Sequence, residues 1–229
     1  MNWDIVFFVI FPYICLAVFV AASIYRSIYR PFTVTSMSSQ LLERRKLFWG
    51  SISFHYGIVL VLLLHLIALV LPAGLRLWNA APLRLYLLEA TALALALWAL
   101  AGLLVLLWRR VSEKRVRVVT TPMDIVALLL LLVSAVTGVL TATVYRFGSS
   151  WFMTVLTPYV WSLLTLRPLT GLVTPLPWVI KLHVINFFLL LAVFPFSRLI
   201  HIATYPIGYL VRPWQIVIWN RRPRVGKGT

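Results

Sequence analysis

Five long runs of apolar residues limit what this chain of 229 residues can fold into. Hydrophobic residues make up 62% of the sequence and charged residues 11%, and the mean hydropathy is +0.97, whereas soluble domains carry about 25% charged residues. A helix needs about 20 residues to cross the roughly 30 Å hydrocarbon core of a bilayer. Runs of this length lie at about 4–25, 48–71, 84–108, 123–145 and 178–204. The sequence therefore predicts an all-α fold: an integral membrane bundle of five transmembrane helices, formed by residues 1–229 as a single domain.

The net charge of +16 is distributed unevenly between the two sides of such a bundle. Three segments that share one side hold five basic residues each, 15 of the 21 Lys and Arg. These residues are Arg26, Arg30, Arg44, Arg45 and Lys46, then Arg109, Arg110, Lys114, Arg115 and Arg117, then Arg212, Arg221, Arg222, Arg224 and Lys227. The positive-inside rule predicts an outside N-terminus, a cytoplasmic C-terminus and a basic cytoplasmic tail at 205–229. Contact with anionic lipid explains this charge, so we expect no nucleic-acid partner.

Two features outside the apolar runs predict local structure. Thr121, Pro122 and Asp124 have the spacing of an N-cap, a first-turn proline and an acid in the first turn, at the start of the fourth helix. Residues 146–177 contain Trp151 and Trp161 among several prolines. This composition predicts a segment that lies along the outer membrane surface.

All four histidines of the chain fall inside or at the ends of apolar runs. His55 and His65 lie in the second run, and His183 and His201 lie in the fifth. An imidazole in hydrocarbon is costly, so it usually faces a partner, a cofactor or water. Two histidines on each of two helices could supply two axial pairs, which is the pattern expected of a membrane cytochrome b with two haems. Four packed, hydrogen-bonded histidines and a non-haem metal site are the alternatives.

Topology predicts how the histidines pair. Antiparallel packing of the second and fifth helices joins His55 with His201 (the inner pair) and His65 with His183 (the outer pair). In straight helices, the ten residues between His55 and His65 span about 15 Å, and the eighteen between His183 and His201 about 27 Å and five turns. Tilt, or a kink at Pro195, must absorb the difference.

Several motifs spread over most of the chain resemble a known family. They are SSQLLERR at 38–45, FHYGI at 54–58 with a histidine ten residues after the first, RVRVVTTPMDI at 115–125, KLH at 181–183 and FPFSRLIHI at 194–202. Together they resemble the gamma subunit of respiratory (membrane-bound) nitrate reductase, a five-span dihaem cytochrome b. The resemblance implies the same pairing of the four histidines around two haem b groups.

The resemblance also implies an activity and a location. Such a subunit lies in the prokaryotic cytoplasmic membrane and oxidises quinol near the outer face, beside the haem of His65 and His183. Protons leave on the outside, and electrons pass through the inner haem to a cytoplasmic iron–sulfur beta subunit. A molybdopterin alpha subunit then reduces nitrate. The basic inner segments would form part of the docking surface.

Charged residues near the helix ends are the remaining site candidates. The family places a basic residue of the quinol pocket near the outer start of the third helix, where Arg84 is the nearest candidate, although alignment puts Leu85 at that position. Glu89 lies within the third helix, as a quinol proton relay or as a structural acid paired with a neighbouring helix. Lys181 and Arg198 are candidate partners of haem propionates, or snorkel to the headgroups. Arg109, Arg110 and Arg117 are further propionate or docking candidates.

Two other functions fit part of this pattern. A related dihaem anchor could serve another cytoplasmic reductase, of the sulfite (sulfur-compound) or heterodisulfide type. A proton-coupled transporter could use the histidines as a relay. An absorbance spectrum separates the transporter from the other two, because only they carry b-type haems.

Overall fold

The computed structural model describes residues 3–30 and 45–204. Five of its helices are long and apolar enough to cross a membrane, which confirms the predicted all-α architecture with five spans. We number the helices in chain order, and the spanning ones are α1 (Trp3–Tyr29), α2 (Arg45–Val70), α4 (Pro82–Ser112), α6 (Pro122–Val144) and α8 (Trp178–Val193). The basic tail and most of the 38–45 motif lie outside the described residues.

Short elements connect these helices. Helix α7 begins as Gly148–Trp151, widens to a π-helical stretch at Phe152–Leu156 and continues as Thr157–Leu164. The others are α3 (Pro72–Asn79), α5 (Lys114–Val118) and α9 (His201–Thr204). Proline occupies the first helical position of α3, α4 and α6, where its missing N–H costs nothing.

The start of α6 forms as its sequence predicts. The Thr121 hydroxyl accepts a hydrogen bond from the Asp124 N–H, and the Asp124 carboxylate accepts one from the Thr121 N–H, at 3.2 and 3.0 Å. This capping box satisfies two of the donors that the first turn of a helix leaves without partners.

Glycine allows α2 and α4 to approach closely, and theirs is the most extensive helix contact among the described elements. A Cβ at Gly102 would lie 2.4 Å from the backbone nitrogen of Phe54, and a Cβ at Gly57 would lie 2.7 Å from the carbonyl oxygen of Leu95. Small residues drive this kind of packing in membranes, where lipid competes equally for apolar side chains.

The remaining spans pack in sequence around this pair. Helix α4 contacts α6, α6 contacts α8, and α8 contacts α1. Ion pairs and hydrogen bonds cluster where α1, α4 and α8 end and α2 and α6 begin, and we call this the basic end of the bundle. Within the described residues, α2 and α8 are not principal packing partners. The prediction that these two helices pack directly together is therefore wrong, although His55 of α2 lies close to His201, which follows α8.

The fifth span does not continue as a regular helix to residue 204. Helix α8 ends at Val193, and the chain continues as a 3₁₀ turn at Phe194–Phe196, extended backbone at Ser197 and a second 3₁₀ turn at Arg198–Ile200. Pro195 has no N–H to continue the helical ladder, which explains the break. The five-turn spacing predicted between His183 and His201 is therefore wrong, and the break absorbs the mismatch in rise between the two histidine-bearing segments.

Helix α7 closes the end of the bundle opposite the basic end. Thr157 donates to the carbonyl of Ala68 and the Trp161 indole to that of Leu69, both at 3.0 Å, which satisfies carbonyls in the last turn of α2. The Tyr159 hydroxyl donates to the Phe8 carbonyl at 2.8 Å. That carbonyl lies four residues before Pro12, which has no N–H to offer it.

Replacing Gly102 with Ala will destabilise the bundle, because the added methyl meets backbone atoms that cannot rotate away. We expect the free energy of unfolding to fall by about 1–3 kcal/mol, the usual cost of overpacking. Gly74→Ala is the matched control, since a Cβ there meets nothing within 4 Å. Thermal unfolding in detergent measures both variants, and equal midpoints would contradict the packing role of Gly102.

Candidate functional site

The inner pair of histidines meets at the basic end of the bundle. The ring centroids of His55 and His201 lie 6.1 Å apart, with an angle of 64° between the ring planes. Two imidazoles on opposite sides of one metal ion, each bound through nitrogen at about 2 Å, hold their ring centres roughly 6 Å apart. The inner pair therefore has the separation of two axial ligands to one iron.

Each of the two rings is held by its Nδ1 atom. His55 donates Nδ1–H to the carbonyl oxygen of Ser51 at 2.8 Å, and His201 donates to that of Arg198 at 2.7 Å. A carbonyl only accepts, so Nδ1 carries the proton and Nε2 is the nitrogen with a lone pair for a metal. Hydrogen bonds of this kind orient metal-binding histidines and fix their tautomer.

The rings of the outer pair are also held at Nδ1. His65 donates Nδ1–H to the carbonyl of Val61, and the Nδ1 of His183 lies 2.8 Å from the hydroxyl oxygen of Thr137. Thr137 uses its own hydroxyl hydrogen toward the Val133 carbonyl, so its oxygen accepts from His183. The Phe152 ring packs edge-on against His65, with centroids 5.3 Å apart.

A polar stripe on α6 faces α8 beside the outer pair. Asn186 donates to the carbonyl of Leu130 and to the hydroxyl of Ser134, at 2.9 and 2.6 Å. Ser134 and Thr137 lie three residues apart on α6, so they share one face of an otherwise apolar span. Ser134, Thr137 and Asn186 were not among the residues predicted from the sequence, although hydroxyl residues spaced three or four apart in such a helix indicate a polar face.

The donor set suits a planar cofactor better than a bare metal ion. Among residues 3–30 and 45–204, no three His, Cys, Asp or Glu side chains group closely enough to hold an ion. Two histidines on opposite sides leave the equatorial positions to another ligand, as a porphyrin would fill them. His55 and His65 have exposed side chains, so a flat group has access to both pairs.

Asp124 organises the arginines of the basic end. Its carboxylate accepts from Arg198 at 2.9 Å and from Arg110 at 3.3 Å, and its side chain is only 5% exposed. Arg109 is also buried, so it does not lie on an exposed docking surface, whereas Arg117 is exposed. The sequence predicts the role of Asp124 in the helix cap. Its ion pairs with Arg110 and Arg198 could not be predicted in this way, because both arginines are distant along the chain.

The candidates at the opposite end lie on different faces of α4. Arg84 donates to the carbonyl of Leu77 at 3.1 Å and stacks over the Trp78 ring. Glu89 accepts from the N–H and the hydroxyl of Ser149 at 2.8 and 2.5 Å. Arg84 and Glu89 are five residues apart, and five residues rotate a helix by about 140° beyond one full turn. The two side chains therefore leave α4 in different directions. This geometry favours the structural interpretation of Glu89, as the acid that holds the start of α7.

Lys181 lies in the first turn of α8, two residues before His183, and is half-buried. This position near the outer pair is compatible with the predicted role as a propionate partner. The same position also allows the side chain to reach the headgroups.

Glu89→Ala will loosen the attachment of α7 to α4, because the Ser149 N–H loses a charged acceptor in a half-buried position. We expect a loss of about 1–3 kcal/mol in the free energy of unfolding. Glu113→Ala is the control, since its ion pair with Lys46 is 34–40% exposed and such pairs contribute about 0–1 kcal/mol. Thermal unfolding compares the two, and a Glu89 variant no less stable than the Glu113 variant would contradict the structural role.

Comparison with known proteins identifies the family. Residues 4–220 match the family model described as nitrate reductase gamma subunit. The nitrate reductase gamma chain of Bacillus subtilis (strain 168) is 33% identical over 217 residues, which cover 93% of this chain and 96% of that one. The respiratory nitrate reductase 2 gamma chain of Escherichia coli (strain K12) is 31% identical over 224 residues, 93% of this chain and 96% of the relative.

The respiratory nitrate reductase 1 gamma chain of the same organism is 33% identical over 220 residues, with 92% of this chain and 95% of the relative covered. A match over nearly the full length agrees with the five apolar helices, which fall within the matched residues except for Trp3 at the start of α1. The chain therefore belongs to the nitrate reductase gamma subunit family, as a multi-pass subunit of an oxidoreductase complex in a prokaryotic cytoplasmic membrane.

Proposed function

We propose that this chain is the dihaem cytochrome b subunit through which a nitrate reductase oxidises quinol. The observation that carries the proposal is the inner pair, whose rings stand 6.1 Å apart while both Nδ1 atoms are engaged by backbone carbonyls. His55 and His201 would hold one haem b, and His65 and His183 a second. When bound, the haems supply one-electron redox chemistry inside the membrane.

The residues around each pair support electron transfer rather than catalysis at the iron. Two histidines would hold each haem, which would leave no open position on the iron for substrate. The hydrogen bonds at Nδ1 fix the rings and raise the basicity of Nε2. A rigid, apolar environment of this kind tunes the potential through burial and ligand orientation.

Quinol oxidation is proposed at the end of the bundle that α7 closes. Phe152 packs against His65 there, and Glu89 holds α7 through Ser149, so α4 and α7 would shape the site beside the outer pair. We propose that Arg84 and Glu89 border this site at different faces of α4. A quinol gives up two electrons and two protons, and the protons would leave on the nearby outer side.

The orientation and the partners follow from the charge distribution. We propose that the basic end faces the cytoplasm, with the N-terminus outside and the tail 205–229 inside. Electrons would cross from the outer to the inner pair and continue to an iron–sulfur beta subunit and a molybdopterin alpha subunit that reduces nitrate. Exposed basic residues such as Lys114 and Arg117 suit docking of the beta subunit, while the buried Arg109 suits a haem propionate.

Spectra of purified protein test the function. The wild-type chain should contain two b-type haems that a quinol analogue reduces. His55→Ala should lose the inner haem and His65→Ala the outer haem, so each variant should retain about half the absorbance. Gly74→Ala is the control, because a Cβ there meets nothing within 4 Å. A colourless wild-type protein from cells replete in haem would refute the proposal.

Thr137→Val should weaken the outer site alone, because Nδ1 of His183 loses the hydroxyl oxygen that lies 2.8 Å away. Loss of such a partner typically costs about 10–100-fold in metal affinity. Thr143→Val is the matched control, since its hydroxyl bonds only the carbonyls of its own helix. Haem content per chain measures the effect, and equal content in both variants would contradict the role of Thr137.

A further inference from the structure

We propose that Asp124 is a positioning residue for His201, the inner axial ligand, and that it acts through Arg198. The inference rests on the proposed function, since it concerns the orientation of a haem ligand. Asp124 does not contact the histidine itself. It holds the residue whose backbone carbonyl binds the imidazole.

The segment that carries His201 needs such support because it is not part of a long helix. Between Val193 and His201 the backbone passes through two 3₁₀ turns and the extended residue Ser197. A helical ladder would fix the ligand by repeated backbone hydrogen bonds, but short 3₁₀ turns provide few of them. Side chains from other helices must therefore set the position of this segment.

Arg198 connects the ligand to the rest of the bundle. Its carbonyl oxygen accepts the Nδ1–H of His201 at 2.7 Å. Its guanidinium donates through Nε to Asp124 at 2.9 Å and through Nη2 to the Val119 carbonyl at 3.2 Å. Displacement of the guanidinium would therefore move the carbonyl that orients the imidazole.

Asp124 is a rigid anchor for this connection. One carboxylate oxygen accepts from the Thr121 N–H within the capping box and from Arg110, while the other accepts from Arg198. The residue is 6% exposed. Removing one member of a buried charge network leaves its partners uncompensated, which is more disruptive than losing a surface pair.

A second side chain holds the other end of the segment. Arg26 of α1 donates to the carbonyl oxygens of Pro195 and Ser197. The segment between Val193 and His201 is thus attached to α1 on one side and to α6 on the other. Of these two attachments, the one at Asp124 connects to His201 through Arg198.

The charge of Asp124 gives the proposal a direction. Two guanidinium groups face this single carboxylate, so its neutralisation leaves more positive charge near the inner site. Positive charge favours the reduced iron. Asp124→Asn should therefore raise the midpoint potential of the inner haem and alter its electron paramagnetic resonance signal, which is sensitive to the orientation of the axial imidazoles.

The experiment measures both haems in membranes that contain the full chain with its native partners. Asp124→Asn should change the potential and the resonance signal of the inner haem, while the outer haem serves as an internal reference. Thr121→Ala is the matched control, because it removes a cap hydrogen bond and keeps the ion pair with Arg198. Asp124→Glu should restore the wild-type signal in part.

Arg198→Gln provides the second test. If Asp124 acts through Arg198, the Asn substitution should change the inner signal less in the Arg198→Gln background than in the wild type. Unchanged inner signals in Asp124→Asn, equal changes at both haems, or a similar effect of Thr121→Ala would overturn the inference. If Asp124→Asn does not accumulate, a wild-type inner signal in Arg198→Gln would overturn it instead. A colourless wild-type protein would refute the proposed function as well, whereas these results on a haem-containing protein refute the positioning role alone.

Discussion

A polar imidazole in hydrocarbon needs a hydrogen-bond partner, and this requirement governs how the four histidines are placed. Each ring uses Nδ1 on an oxygen within the protein: backbone carbonyls for His55, His65 and His201, and the Thr137 hydroxyl for His183. The consequence is the same in every case. Nδ1 has a partner inside the protein, which leaves the lone pair of Nε2 for the haem iron that we propose.

The helix packing follows a different constraint, because lipid offers apolar side chains as good an environment as a neighbouring helix does. Close backbone approach at Gly57 and Gly102 holds α2 against α4, while hydrogen bonds from Asn186 hold α8 against α6. The two histidine-bearing helices therefore belong to different packed pairs.

The break at Pro195 links the fold to the site. A straight fifth helix would carry His201 too far from the level of His55, as the unequal spacings of the histidines indicate. The 3₁₀ turns and the extended Ser197 bring His201 to its partner, at the cost of the regular backbone hydrogen bonds. Arg26, Asp124 and Arg198 replace these bonds with contacts from other helices. The proposed haem ligand His201 thus lies where the regular helix has ended.

The sequence by itself determined the five spans, the cap at Thr121 and the pairing of His55 with His201, because run length, capping chemistry and alternating topology are local or combinatorial properties. Only the tertiary structure decided how α2 and α8 are held apart, how Glu89 binds α7 and how Asp124 joins Arg110 to Arg198. The contacts of Glu89 and Asp124 join residues between 14 and 74 positions apart. The helices themselves have apolar surfaces of similar composition. Which faces meet depends on backbone approach and on the exact end of each helix, and neither is encoded by hydropathy.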